Sequence, residues 1–297
     1  MAKTTADAIK RLAGFKVILI TKKQLGKPPM NQAPDSQQIQ VDGIDVYIEG
    51  HGHDTIVMIH GWPDTYRLWD EQVAALKGRY RCVRFTLPGF DIAKPRAAYS
   101  LDETVDLFRR IIDQVSHDHK VTLMLHDWGC VFGYQFYMRH PVMVSRIIGV
   151  DIGDVDSDDY VLTAKAKLMV FSYQVWLAAA WRIGGKTGDA MTRSMARTAK
   201  APGNPATISS RMSYPYYILW AGAHGGYQDA LLFKPACPML YIYGKRKPFM
   251  FHSPAWLLEL AQHPDSEVLG MDAGHWVMKE QAHAFNEAVI YWLSFSG

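Results

Sequence analysis

Short apolar runs alternate with helical segments along most of the chain, and this alternation constrains the fold more than any other feature. Strands are predicted at 55–59, 80–85, 121–125, 146–150, 239–243 and 267–269, and several of them are continuous apolar runs. Such runs are typical of strands that are buried on both faces of a sheet. Helical periodicity separates them, most clearly over 101–115. This order predicts an α/β fold with a largely parallel sheet and helices on both of its faces.

One hairpin precedes the alternation, and one long segment interrupts it. Residues 38–48 alternate polar and apolar side chains around an Asp-Gly turn, which predicts a β-hairpin. Residues 155–232 are rich in Ala, Met, Tyr and Trp and show no strand pattern. We therefore expect a helical cap between two parts of one core, 35–154 and 233–297. Residues 1–34 are expected to form an N-terminal extension that packs on the body.

The composition argues against several classes of protein. With 297 residues, 48% of them hydrophobic, the chain can bury a large core, whereas a net charge of +3 offers no basic excess for nucleic acid. The three cysteines are widely spaced, which argues against a disulfide framework or a zinc site and favours a reducing, cytoplasmic compartment. No apolar run approaches the roughly 18 residues that span a bilayer. Because the sequence has no Gly-rich dinucleotide fingerprint and no P-loop, neither an organic cofactor nor a metal is expected.

The sharpest local motif surrounds Asp127. The sequence Leu125-His126-Asp127-Trp128-Gly129 leads from an apolar strand through one reactive residue into a glycine and a helix. That layout predicts a nucleophile elbow, in which a tight turn lifts one side chain above the sheet. A carboxylate at this point can attack an sp3 carbon and form an ester, and a helix N-terminus favours its anionic form. The competing interpretation is that Asp127 only caps the helix.

Two further motifs, each predicted to follow a strand, complete a catalytic pattern. His-Gly-Trp-Pro at 60–63 follows the third strand, where the backbone N–H groups of Trp62 and Trp128 can hold an oxyanion. His275 lies in the loop after the last predicted strand, where the general base is expected when it comes last in the chain.

Taken in this order, the motifs resemble those of the α/β-hydrolase superfamily, in its epoxide hydrolase and haloalkane dehalogenase branch. The segments that carry the resemblance are His-Gly-Trp-Pro at 60–63, Leu-Pro-Gly-Phe at 87–90, His-Asp-Trp-Gly at 126–129 and Gly-His-Trp at 274–276. The resemblance implies the α/β-hydrolase fold, with an eight-stranded, mostly parallel sheet flanked by helices and an inserted helical cap.

The resemblance also implies a two-step reaction. Asp127 opens the substrate to form an ester, and His275 then activates the water that hydrolyses it. The residues that the resemblance places around the substrate are His60, Trp62, Trp128 and Trp276.

One position departs from the family pattern. In epoxide hydrolases the triad acid follows the seventh strand in a Gly-x-x-Asp pattern, and the corresponding residue here is Lys247. A lysine cannot accept the imidazole N–H. Asp151, after the sixth strand, is the favoured replacement, because one haloalkane dehalogenase subfamily carries its acid there; Asp154 is the reserve. Asp272 is too close in sequence to His275 to orient it and is interpreted as a loop residue.

The resemblance further implies that two cap tyrosines protonate an epoxide oxygen. Tyr173 lies in a segment that resembles the first of them. For the second, Tyr214 or Tyr217 is favoured over Tyr216, because a helix that starts after Pro215 would bring Tyr214 and Tyr217 near one face.

The leading hypothesis is an epoxide hydrolase that converts a small hydrophobic epoxide and water into a vicinal diol. A haloalkane dehalogenase is the first alternative, although its Asn donor after His-Gly is replaced by Trp62, whose indole N–H can substitute. A non-catalytic binding protein is the second alternative, suggested by Lys247. The oligomeric state is left open, with a homodimer as one option.

Overall fold

A computed structural model describes residues 36–116 and 120–295, so the expected N-terminal extension at 1–34 lies outside the described residues. Eight strands form one sheet: β1 (Ser36–Val41), β2 (Ile44–Glu49), β3 (Thr55–Ile59), β4 (Arg81–Phe85), β5 (Val121–His126), β6 (Val144–Val150), β7 (Met239–Gly244) and β8 (Glu267–Met271). Their order across the sheet is β1-β2-β4-β3-β5-β6-β7-β8.

The sheet is antiparallel only at one edge, where β2 pairs with β1 and with β4, and the strands from β4 to β8 are parallel. The fold class predicted from the sequence is therefore confirmed. Because parallel strands all end at the same edge, the loops after β3, β5, β6, β7 and β8 meet there.

The α-helices in the described part of the chain, which also contains short 3-10 helices, are α1 (Asp70–Leu76), α2 (Leu101–Val115), α3 (Trp128–Arg139), α4 (Ala164–Ile183), α5 (Gly185–Thr198), α6 (Tyr214–Ala221), α7 (Pro254–Gln262), α8 (Val277–Glu280) and α9 (Ala282–Leu293). Helix α2 starts at its predicted residue because Ser100 and Glu103 form a reciprocal capping box.

The sheet is covered on both faces, which explains the uninterrupted apolar strands. In β3, Val57 and Ile59 belong to one buried apolar cluster, whereas Ile56 and Met58 belong to the other. Successive side chains of a strand point to opposite faces. A strand between two packed layers must therefore be apolar at every position.

Two helical parts of the chain flank the end of the sheet in sequence, one before β7 and one after β8. Helices α4, α5 and α6, called the inserted helices below, lie between β6 and β7 in the sequence, within the segment predicted to be helical. The helical segment after β8 is divided into α8 and α9 at Gln281. Gln281 leaves the helical dihedral region, and its side chain donates to the Asp272 carbonyl. No helix among the described residues is long and apolar enough to cross a membrane.

Candidate active site

Asp127 stands at a sharp turn between β5 and α3. Its backbone has a φ of 53°, in the left-handed region that non-glycine residues rarely adopt. Glycine is required beside the turn, since a Cβ at Gly61 would lie 2.3 Å from Asp127 Oδ1 and one at Gly129 would lie 2.3 Å from the Ile59 carbonyl oxygen. The turn therefore raises a carboxylate above the sheet edge, as the elbow motif predicts.

The Asp127 carboxylate is held in its ionised form. The backbone N–H of Trp62 donates to Oδ1 at 2.6 Å, and the backbone N–H of Trp128 makes a further hydrogen bond. Burial raises the pKa of Asp127, but the hydrogen bond and charge of His275 outweigh burial and hold the pKa below its usual value. Two main-chain donors thus converge on the carboxylate, as expected for an oxyanion site.

His275 connects two carboxylates. Its Nε2 lies 3.4 Å from Asp127 Oδ2, and its Nδ1 lies 2.5 Å from Asp151 Oδ2. Asp151 is completely buried after β6, with a φ of 72°, and its Oδ1 accepts the backbone N–H of Gly244 at 3.0 Å. The structure therefore brings Asp127, His275 and Asp151 together in the geometry of a nucleophile, a base and an orienting acid.

The other acids considered from the sequence lie elsewhere. Asp154 is buried, but its oxygens accept hydrogen bonds from Ser157 Oγ and from the backbone and side chain of Ser253. Asp272 is exposed and pairs with Arg246 at 3.3 Å. Neither carboxylate is placed against His275, so the structure gives neither Asp154 nor Asp272 a contact through which it could orient the imidazole.

Lys247, the residue that departs from the family pattern, contacts Asp151 directly. Its ammonium forms an ion pair with Asp151 Oδ1, and its side chain is only 6% exposed. The carboxylate of Asp151 is therefore shared, with one oxygen facing His275 and the other facing Lys247 and the main chain of β7.

The charges around His275 set its protonation. Burial lowers the pKa of His275, but the negative charges of Asp151 and Asp127 outweigh burial and raise the pKa to about 9. His126 packs against this ring with centroids 4.5 Å apart, and burial lowers its pKa to about 3, so His126 is neutral. In the free protein, the imidazole of His275 is accordingly stabilised as a cation between two carboxylates.

Two tyrosines from the inserted helices share a cavity with Asp127. Tyr173 of α4 and Tyr216 of α6 both line it, with ring centroids 6.1 Å apart. Burial raises the pKa of both phenols, and the charge of Asp127 raises both further. Both hydroxyl groups therefore carry a proton throughout the neutral range.

The structure places Tyr216 in the cavity, and not Tyr214 or Tyr217, the two residues favoured from the sequence. Tyr214 is fully buried against Phe90 and Trp181, and Tyr217 packs on the core, so neither lines the cavity. Helix α6 begins at Tyr214 itself rather than after Pro215, and this short helix turns Tyr216 towards Tyr173.

Two of the four residues expected around the substrate, His60 and Trp128, do not line the cavity. His60 is fully buried and absent from the cavity lining; its Nε2 accepts the Leu87 N–H at 2.9 Å, and its Nδ1 lies 2.9 Å from the Gly61 carbonyl. His60 therefore fixes the loop that carries Trp62. Trp128 reaches the site through its backbone N–H, and its ring packs edge-on against Tyr216.

The remaining two expected contacts, Trp62 and Trp276, line the cavity. Trp276 is anchored by a hydrogen bond from Nε1 to Asp64, a buried acid that sequence reasoning missed.

The cavity has a volume of about 460 Å³ and is lined largely by apolar and aromatic side chains, among them Met169, Met195 and Phe251. No sequence signal identified these apolar residues, because their position depends on how the inserted helices pack. Within 36–116 and 120–295, no group of three or more His, Cys, Asp or Glu side chains is arranged to hold a metal.

Comparison with known proteins supports the fold and the general class. Epoxide hydrolase 1 of Caenorhabditis elegans is 31% identical over 140 residues, which are 45% of this chain and 34% of that protein. A cis-3-alkyl-4-alkyloxetan-2-one decarboxylase of Xanthomonas campestris is 31% identical over 104 residues, 32% of this chain and 35% of that protein. The chain thus matches about a third of the length of these curated relatives.

Structural comparison agrees over a longer span. The crystal structure of an epoxide hydrolase from Bacillus megaterium has a TM-score of 0.65 at 20% identity, over 87% of this chain and 100% of that chain. At this identity the likeness shows a shared fold. Residues 56–288 match the model of the α/β hydrolase family, so the chain is a member of that family.

Proposed function

We propose that this protein is an epoxide hydrolase that forms a vicinal diol through an ester on Asp127. One observation carries the proposal: a carboxylate nucleophile, an imidazole paired with an acid, and two protonated phenols open onto one apolar cavity. The carboxylate supplies a nucleophile for carbon, and the phenols supply protons for oxygen.

In the first step, an Asp127 carboxylate oxygen attacks an epoxide carbon and the carbon–oxygen bond of the ring breaks. The electron pair of that bond moves to the ring oxygen, which takes a proton from Tyr173 or Tyr216. The phenols are suited to this role because burial keeps them protonated until negative charge develops beside them.

In the second step, His275 Nε2 removes a proton from water, and the hydroxide adds to the ester carbonyl carbon. The backbone N–H groups of Trp62 and Trp128 stabilise the oxyanion that forms. Collapse releases the diol and restores the Asp127 carboxylate, while the proton on His275 returns to the tyrosine. The sum is one epoxide plus one water giving one diol.

Ester formation itself prepares His275 to act as a base. An ester on Asp127 carries no charge, so one of the two carboxylates that raise the pKa of His275 is removed. The imidazole then releases its proton more readily, at the stage that requires a neutral base. Because Asp151 supplies the acid, Lys247 offers no reason to regard the site as inactive.

The lining of the cavity favours an apolar substrate. The inserted helices contribute Met169, Tyr173 and Tyr216 and would act as a cap over Asp127, and Phe249 and Phe251 contribute from the loop after β7. An aryl or alkyl epoxide that buries its substituent against these side chains fits such a pocket.

Dehalogenation is the second candidate, and it has a specific observation in its favour. The indole N–H of Trp62 is buried without a hydrogen-bond partner among the described residues, although Trp62 lines the cavity. An unpaired N–H near the nucleophile is a donor that a leaving halide could use.

The two chemistries are separated by offering the purified protein styrene oxide and 1-bromobutane in parallel. The proposal predicts diol from the epoxide and no bromide release above that of the Asp127→Asn variant. Bromide release without diol would replace it with the dehalogenase, and neither product would reject both.

A further inference from the structure

Lys247 lies after β7, at the position where epoxide hydrolases are expected to carry the acid that orients the base. It makes a specific contact there. Its ammonium pairs with Asp151 Oδ1 while Asp151 Oδ2 faces His275. We propose that Lys247 is a positioning residue of the triad: it fixes the Asp151 carboxylate for His275 and offsets the negative charge that Asp151 places beside the imidazole.

The ammonium is held in place on several sides. The side chain is 6% exposed, and Nζ lies 5.3 Å from the centroid of the Phe251 ring, within cation–π range. Phe251 is in turn tied to the end of β6 by a bridge to Ile152 and by the Gly153 N–H donating to its carbonyl at 2.7 Å. The loop that carries Lys247 is therefore fastened to the segment that carries Asp151.

The two oxygens of the Asp151 carboxylate have different partners, and this arrangement restrains how the carboxylate faces His275. Gly244 N–H and Lys247 both bind Oδ1, so the carboxylate cannot rotate without breaking two hydrogen bonds. Asp151 is completely buried, and a buried carboxylate needs compensation beyond a single imidazole that must become neutral during the reaction. Lys247 supplies that compensation at the stage when His275 has lost its charge.

Other titratable groups also face this region. The charged or titratable side chains on the neighbouring elements are Asp64 after β3, His126 and Asp127 at the end of β5, Asp151 after β6, Arg246, Lys247 and His252 after β7, and Glu280 of α8. Burial lowers the pKa of His126 to about 3 and of His252 to about 4, so both are neutral when His275 titrates. Burial raises the pKa of Asp64 to about 7, and its titration must be separated from that of His275.

The charges around His275 determine in which direction the loss of Lys247 shifts the pKa of His275. Replacing Lys247 with a neutral side chain leaves the negative charge of Asp151 unopposed, which stabilises the His275 cation and raises its pKa. Hydrolysis of the ester needs neutral His275, so its rate should fall at neutral pH and recover at higher pH. A purely structural loss would lower the rate at every pH.

The test combines Lys247→Met with Lys247→Arg, and uses Lys245→Met as the matched control because Lys245 is exposed two residues earlier. The pH profile of ester hydrolysis is measured by stopped-flow single turnover of styrene oxide. Lys247→Met should move the acidic limb upward by about one unit or more, whereas Lys247→Arg and Lys245→Met should leave it in place. Asp64→Asn in the native and Lys247→Met backgrounds separates the contribution of Asp64.

The kinetic part of this inference rests on the proposed function, so a second readout uses no substrate. The imidazole signals are titrated by NMR, and the signal of His275 is identified by its loss in His275→Gln. The inference predicts a higher pKa for His275 in Lys247→Met than in native protein. An unchanged titration would overturn it even if styrene oxide is hydrolysed, whereas a shifted titration without diol formation would overturn only the proposed function.

Discussion

The carboxyl edge of the sheet and the inserted helices both contribute side chains to the cavity, but they position them by different rules. The loops that follow parallel strands meet at one edge of the sheet, so Asp127 and Asp151, directly after β5 and β6, contact His275 in the loop after β8 although the three are far apart in sequence. The direction of a helical side chain depends on its place around the helix axis, and a shift of one position along the helix changes that direction by about 100°. That difference is why the sequence could predict that side chains at the strand ends lie close together but could not choose between Tyr216 and Tyr217 on a helix.

The largest effect is expected at the strand edge itself. Asp127→Asn removes the anionic nucleophile while keeping the shape of the elbow, so turnover of styrene oxide should fall at least about 10⁴-fold. Circular dichroism and thermal melting check that the variant remains folded. Activity within tenfold of the native protein would show that Asp127 is not the nucleophile.

Asp151 tests whether strand ends are interchangeable. Asp151→Asn should lower kcat by about 10³- to 10⁴-fold, because an amide stabilises the imidazole cation poorly and can favour the wrong tautomer. Adding Lys247→Asp to this variant moves a carboxylate to the end of β7, where epoxide hydrolases are expected to carry it. The double variant should be at least about tenfold more active than Asp151→Asn alone. No recovery would mean that an acid after β7 cannot replace an acid after β6 in this protein.

The inserted helices are tested by comparing neighbouring tyrosines. Tyr216→Phe removes a proton donor from the cavity and should lower kcat by about 10- to 100-fold, with a similar effect for Tyr173→Phe. Tyr217→Phe is the matched control on the same helix and should stay within about twofold of native. Equal losses of kcat in Tyr216→Phe and Tyr217→Phe would show that Tyr216 has no catalytic role beyond that of a tyrosine outside the cavity.

Among the buried acids, Asp154 is expected to have the smallest effect on catalysis. Its carboxylate accepts three hydrogen bonds from Ser157 and Ser253, so Asp154→Ala should cost about 2–3 kcal/mol of unfolding free energy. Activity per folded molecule should stay within about threefold of native. A catalytic loss like that of Asp151→Asn, with unchanged stability, would reopen the assignment of the acid.

Sequence reasoning reached the sheet and its edge because both depend on local rules. The uninterrupted apolar runs predicted strands buried on two faces. The elbow motif, the family resemblance and the loop after the last strand predicted that Asp127, Asp151 and His275 would lie close together, and the structure places them within contact distance. What it could not reach depends on packing between distant segments. His60 was expected at the substrate but turned out to fasten the loop that carries Trp62, since nothing local reveals that its partner is the Leu87 N–H. The ion pair between Lys247 and Asp151 was missed for the same reason: a departure from a pattern shows what is lost, and only the fold shows what replaces it.

The most direct test of the central claim follows the oxygen atoms. With enzyme in excess over styrene oxide in ¹⁸O-labelled water, the first turnover should give an unlabelled diol, because its new oxygen comes from the Asp127 side chain. Mass spectrometry of the peptide that contains Asp127 should then show one ¹⁸O in the carboxylate. A labelled diol together with an unlabelled Asp127 would mean that water attacks the epoxide directly, which would contradict the ester mechanism.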